Sequence, residues 1–227
     1  MHPNGSETPY NEFTTSRPFS SFFETVRGVI LKPADFYREI ETAGSVKNPV
    51  IFAVVCGTIS FVLGSLSAPL DPLTPDEPFL PPGLRSLFSD NLAIAIALAG
   101  LGLVLIPLLA LLGLYLGALI QHLFVMVFVR QRRGFEATLR VVAYGSAISL
   151  LSWIPVVGYL ATLYIVYVYT MGFRELHSAS TTRALLAALL PILIWLPFLV
   201  LFFLFPEPPG ISTLIHERHG LADVLAL

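Results

Sequence analysis

The sequence predicts an all-α fold, a polytopic membrane helix bundle with five transmembrane helices and a cytoplasmic N-terminus. Hydrophobic residues make up 55% of the chain, charged residues only 12%, and the mean hydropathy is +0.77, more apolar surface than a water-soluble domain of 227 residues can hide. The apolar residues gather into runs at about 49–68, 91–129, 137–154, 157–173 and 184–205, and a helix needs about 20 residues to cross ~30 Å of hydrocarbon. With five crossings, Arg17, Arg27, Lys32, Arg38, Lys47, Arg130, Arg132, Arg133, Arg140, Arg174 and Arg183 share one side, leaving Arg85 and Arg218 on the other. Basic residues mark the cytoplasmic side.

Taken in order, residues 1–17 are polar and are expected to form a disordered tail. Residues 18–48 place Phe19, Phe22, Phe23, Val26 and Ile30 at helical spacing, then "KPADFYREI" with a helix start at Pro33, a pattern expected of short interfacial helices on the cytoplasmic face. The five-span domain occupies 49–205. Its outer loop, 69–90, carries Pro69, Pro72, Pro75, Pro78 and Pro81 at every third position, the period of a polyproline II rod and the pattern of a stiff connector. The run 91–129 is long enough for two crossings, but splitting it would put Arg130, Arg132 and Arg133 outside, so it is read as one helix with a bend at Pro107. Those three arginines are the topology anchors. Residues 206–227 form a non-cytoplasmic tail.

Several function classes fall away. The net charge of −2 offers no basic field for nucleic acid. A lone Cys56 excludes an intrachain disulfide and a Cys-rich zinc site. His216 and His219 in "HERH" lack the spacing and the third ligand of a metal site. No Walker loop, dinucleotide fingerprint, nucleophile elbow or other cofactor or catalytic motif is present. The expectation is a protein that is not an enzyme and carries no cofactor and no metal.

Polar residues inside apolar runs are the remaining functional signal, because lipid penalises them unless they face other helices or a wet cavity. Gly113, Gly117 and Gln121 recur every four residues, a G-x-x-x-G helix-packing stripe ending in an amide. His122 follows at once. Glu136, Arg140 and Tyr144 lie at i, i+4 and i+8 and form a polar stripe entering the bilayer from the cytoplasm. Glu175 and His177 leave the fourth span at the same level. Together Gln121, His122, Glu136, Arg140, Tyr144, Glu175 and His177 are expected to line a polar recess open to the cytoplasm. Arg140, bidentate and always charged, suits an anionic headgroup or a partner's carboxylate. Read singly, each of these residues also has a plain role, Arg140 and Glu175 snorkelling to the headgroups and the tyrosines forming an aromatic belt.

The stretch "GFEATLRVVAYGSAISLLSWIPVVGYLATLYIVYVYTMGFRELHSAS", through Gly134, Phe135, Thr138, Tyr144, Pro155, Gly158, Gly172 and His177, resembles the Yip1-domain family, as does "LKPADFYREI" followed by "KNPVIFAVV". The resemblance implies five membrane spans and a cytoplasmic N-terminus. Its eukaryotic members are associated with Rab GTPases and with shaping or sorting of secretory membranes. The short N-terminal region here is closer to prokaryotic members, which places the chain in a bacterial or archaeal cytoplasmic membrane and departs from the Rab-linked pattern.

The functional expectation is a non-enzymatic membrane-organising or partner-binding scaffold. The alternative is a transporter or channel-like conduit for an ion, small solute or lipid, built around Gln121, His122, Arg140 and Tyr144. Expected partners are membrane lipids, anionic headgroups among them, a protein on the cytoplasmic face and a second copy of the chain. The charge asymmetry makes a direct prediction. With Cys56 replaced, single cysteines at Arg133 and Ser178 should resist a membrane-impermeant thiol reagent in intact cells while cysteines at Asp76 and Glu207 react. Labelling at position 133 from outside would overturn the five-crossing arrangement.

Overall fold

The computed structural model describes residues 12–40, 45–67, 92–130, 133–154 and 156–204, and every regular element among them is helical. Seven α-helices are described: α1 Pro18–Leu31, α2 Pro33–Glu39, α3 Lys47–Ser67, α4 Leu92–Phe128, α5 Phe135–Gly145, α6 Val157–Leu176 and α7 Thr181–Leu204, with a 3-10 helix, Ser146–Leu151, between α5 and α6. One compact unit ends at Pro191 within α7, and a second begins at Ile192, of which Ile192–Leu204 is helix. The Pro-rich loop, the C-terminal tail with His216 and His219, and Arg132 lie outside the described residues.

Proline begins both α1 and α2, where a missing N–H is no loss and the fixed φ suits a first turn. The two helices are not amphipathic in the usual sense. Helix α1 turns Ser21, Thr25, Gly28 and Val29 inward and leaves Phe19 82% and Phe23 68% exposed. Helix α2 buries Phe36 and Tyr37, and the Tyr37 hydroxyl donates to the Val141 carbonyl at 3.0 Å. Residues 12–17, assigned to an unstructured tail from their polarity, also pack: Phe13 is buried and meets Phe52 at a 5.8 Å ring separation.

Two helices are long and apolar enough to cross a membrane, Lys47–Ser67 and the Gly100–Phe128 part of α4. The run 91–129 is one helix, with Pro107 inside it. Its outward residues, among them Leu103, Val104, Leu109 and Val127, are exposed leucines and valines, a surface that lipid solvates and water does not. Among the described residues, no helix packs on the expected stripe of Gly113 and Gly117. A Cβ built on either glycine meets no atom within 4 Å. The buried face is instead Leu114, Ala118, Gln121 and Val125, at i, i+4, i+7 and i+11, about 100° around the helix from the glycines. Close approach to α3 occurs elsewhere, where a Cβ on Gly57 would lie 3.2 Å from that of Ala110.

The third apolar run, 137–154, is not one α-helix. Helix α5 ends at Gly145 and the chain tightens into the 3-10 helix. Serines explain the change. Ser146, Ser149 and Ser152 stand three apart, the period of a 3-10 helix, and each hydroxyl donates to the carbonyl three residues earlier, at 2.6, 2.7 and 2.6 Å. Ser149 is also 2.8 Å from the Ser60 hydroxyl of α3. Eleven α-residues and six 3-10 residues together rise roughly 28 Å, close to the hydrocarbon thickness.

Helix α5 is the centre of the compact unit, with all nine residues from Ala137 to Gly145 buried. Glycines let α6 reach it. A Cβ on Gly172 would lie 2.6 Å from Val141 Cγ1, and one on Gly145 would overlap the Tyr169 ring. Replacing Gly172 by Ala should therefore lower the melting temperature in detergent, with an overpacking cost of about 1–3 kcal/mol outweighing the ~1 kcal/mol helix-propensity gain. Gly117→Ala, facing open space, should hold or raise it. Equal shifts for the two variants would contradict this packing.

Candidate functional site

Helix α5 carries polar groups on two sides. Thr138 and Arg140 are two residues apart, about 200° around the helix, so they point into different surroundings. The single recess expected from the sequence is thus two clusters, separated by the helix that supplies both.

On the first side, a hydrogen-bonded chain joins three elements. The Arg133 backbone N–H donates to His177 Nδ1 at 3.1 Å, His177 Nε2 lies 3.1 Å from Thr138 Oγ1, and that oxygen lies 2.8 Å from His122 Nδ1. A backbone N–H can only donate, so His177 Nδ1 accepts and the neutral ring holds its proton on Nε2. The ring then donates to Thr138, whose oxygen also shares a hydrogen bond with His122 Nδ1. Phe135, one turn ahead of Leu139 on α5, sets its ring edge-on to His122 at 5.5 Å. His177 is fully buried, and burial, with His122 and Arg133 close by, pushes its pKa from 6.5 down to about 4. The hydrogen bonds act the same way, since a protonated ring would set a second donor against the Arg133 N–H.

On the opposite side, Arg140 is 1% exposed and Tyr144 is fully buried. The Tyr144 hydroxyl donates to Glu12 Oε2 at 3.2 Å. Phe36 stands edge-on to Tyr144 at 5.2 Å, and Phe52 lies tilted against it at 5.6 Å. The chain thus brings a carboxylate from ahead of α1 to a buried phenol on α5, inside an aromatic wall.

The remaining candidates lie apart from both clusters. Glu136 is exposed in the first turn of α5, where a carboxylate complements the helix dipole, so the i, i+4, i+8 stripe runs from solvent to interior instead of lining a recess. Glu175 is paired with Arg174 at 2.6 Å and with Arg38 at 3.5 Å, and Arg38 also reaches Asp35. This cluster clips α2 to the end of α6. Gln121 is buried on α4 with its Oε1 making no hydrogen bond among the described residues. Arg130 and Arg133 are exposed. Two participants were not anticipated. Thr138 entered only through the family resemblance, although a hydroxyl two residues before Arg140 in an apolar run is itself a signal. Glu12 was hidden by the polarity around it, and Phe13 beside it was the available clue.

Among the described residues, no group of three or more His, Cys, Asp or Glu side chains could hold a metal ion. The Yip1 domain matches residues 27–203 of the chain. The chain belongs to the Yip1-domain family. No curated protein and no solved structure matches it. As a Yip1-domain protein it is an integral membrane protein, in keeping with its two membrane-length apolar helices. Within the Yip1 domain the residues that carried the resemblance have defined contacts: Phe135 on His122, Thr138 between two histidines, Tyr144 on Glu12, Gly172 under Val141, and Gly158 with no room for a Cβ beside the Ser152 carbonyl.

The depressed pKa of His177 makes stability fall with acid. The unfolded chain takes up this proton near pH 6.5 and the folded chain only near pH 4, so the contribution is whole above the upper value and is lost as pH falls through that window, on the order of 3 kcal/mol in full. The melting temperature in detergent should drop more between pH 7 and pH 4.5 for the wild type than for His177→Gln, which keeps a donor towards Thr138 but cannot titrate. Parallel pH profiles for the two would refute the assignment.

Proposed function

We propose that this chain is a non-enzymatic integral membrane scaffold of the Yip1 type that organises lipid or holds a partner at its cytoplasmic face. Its five crossings begin with the N-terminus in the cytoplasm and end with the C-terminus outside. The observation that carries this reading is how the buried polar groups are used. His122, Thr138 and His177 are tied to one another, Tyr144 is tied to Glu12, and Ser60 is tied to Ser149. Each bond joins two different segments of the chain, which is what a rigid platform needs. A conduit needs polar groups left open to a passing solute, and Gln121, Arg140 and Tyr144, three of the four residues it would be built around, are buried.

Reconstitution separates the two readings. Proteoliposomes containing the purified chain should pass ions and small polar solutes no faster than protein-free vesicles, while the chain solubilised in mild detergent should retain a reproducible set of lipids or proteins. A flux that depends on the chain and falls with Gln121→Leu or His122→Leu would replace the scaffold with a transporter.

A further inference from the structure

Helix α1 has three faces. With successive residues turned by about 100°, Ser21, Thr25 and Gly28 fall on one side and are buried against the unit. Phe19 and Phe23 fall on a second and are exposed. Ser20, Glu24 and Arg27, exposed as well, make a third. Hydroxyls and a glycine packed inward with phenylalanine turned outward reverse the order of a helix in water and match one whose outer side meets hydrocarbon.

Contacts along α1 and α2 fix the depth of the pair. The Tyr164 hydroxyl donates to the Ile30 carbonyl at 2.7 Å, and Tyr164 stands twelve residues before the end of α6 at Leu176, roughly 18 Å along that helix. Helix α1 also packs against the 3-10 helix beyond α5. From there α2 climbs back. Phe36 meets Tyr144, nine residues into α5; Tyr37 bonds the carbonyl of Val141, six residues in; and Arg38 reaches Glu175, beside the end of α6. The two helices are a hairpin whose turn, at residues 31–33, lies level with the middle of α6.

Backbone at such a depth needs partners for its polar groups, since lipid offers none. Pro33 brings no N–H to the turn. The Lys32 N–H bonds the Gly28 carbonyl at 2.9 Å, the Lys32 carbonyl takes the Phe36 N–H at 3.0 Å, and Tyr164 covers the Ile30 carbonyl. Lys32 itself is exposed beside the turn, with a four-carbon stem along which its charge can rise towards headgroups.

We propose that α1 and α2 form a hairpin inserted into the cytoplasmic leaflet without crossing it, and that its partner is the lipid of that leaflet. Acyl chains cover Phe19, Phe23 and Leu31, while the edge of Ser20, Glu24 and Arg27 faces headgroups. The inference rests on reading α5 and α6 as membrane crossings. It sets the turn at acyl-chain depth and not on the membrane surface.

The test uses the full chain with Cys56 replaced, reconstituted in vesicles of phosphatidylcholine and phosphatidylglycerol. Phe23→Cys, Leu31→Cys and Ser45→Cys, the last an exposed position ahead of α3, are each labelled with bimane. Emission is read against phospholipid brominated at mid-chain and against iodide on both sides of the vesicle. Positions 23 and 31 should lose emission mainly to the brominated lipid, and position 45 mainly to iodide. Phe19→Cys replaces Phe23→Cys if that variant fails to fold. Iodide quenching at 23 or 31 equal to that at 45 would place the hairpin in water and overturn the insertion. Protection from both quenchers would put protein on this face and overturn lipid as its partner. Impermeant-reagent labelling at positions 133 and 178 decides the crossings separately, so a wet position 31 with those two sites protected sinks the hairpin alone.

Discussion

Everything in the compact unit follows from enclosing one short helix on every side. Nine consecutive residues of α5 are buried, so no face is left for solvent and each polar side chain on it must find its partner inside. Thr138 finds two histidines from two other segments; Tyr144 finds Glu12; the Val141 carbonyl takes a second donor from Tyr37. These bonds fix where α2, α4, the end of α6 and the segment ahead of α1 can sit. Full enclosure also demands close backbones, which Gly145 and Gly172 supply where a methyl group would strike Tyr169 or Val141.

Much of this was legible in the sequence, and the parts that were not share a physical cause. The membrane class followed from hydropathy, α4 as a single helix from the arginines that follow it, and the start of α2 from Pro33. Burial was harder. Periodicity shows that residues share a face, but not what lies opposite, so Gly113 and Gly117 read as a packing stripe although no described atom meets them, while Gly57 carried no signal and Gly172 entered only through the family resemblance. The same limit merged the two clusters, because the two histidines and Arg140 were judged by depth and not by direction around the helices. The serines at 146, 149 and 152 were visible as polar interruptions, but their three-residue spacing is itself the mark of the 3-10 turn that replaces the end of the helix.

The two clusters differ in how they are closed. The histidine chain is internal, each member held by an element of the unit, and the neutral state of His177 is enforced by the Arg133 backbone donor. The cluster on the other face takes its carboxylate, Glu12, from outside the helices. Helix α5 is held in addition by glycine contacts and the Tyr37 bond, which belong to neither cluster.

Glu12 and Phe13 are adjacent, so one short segment ahead of α1 meets two neighbours at once: the carboxylate takes the Tyr144 hydroxyl and the ring packs on Phe52. Phe52 in turn packs on Tyr144 and Phe22, so the same aromatic contacts that enclose Tyr144 also hold α3 against α1. A change in the segment ahead of α1 is therefore felt at the centre of the unit and along the first membrane-length helix together, because packed rings transmit a displacement that a solvated side chain would absorb.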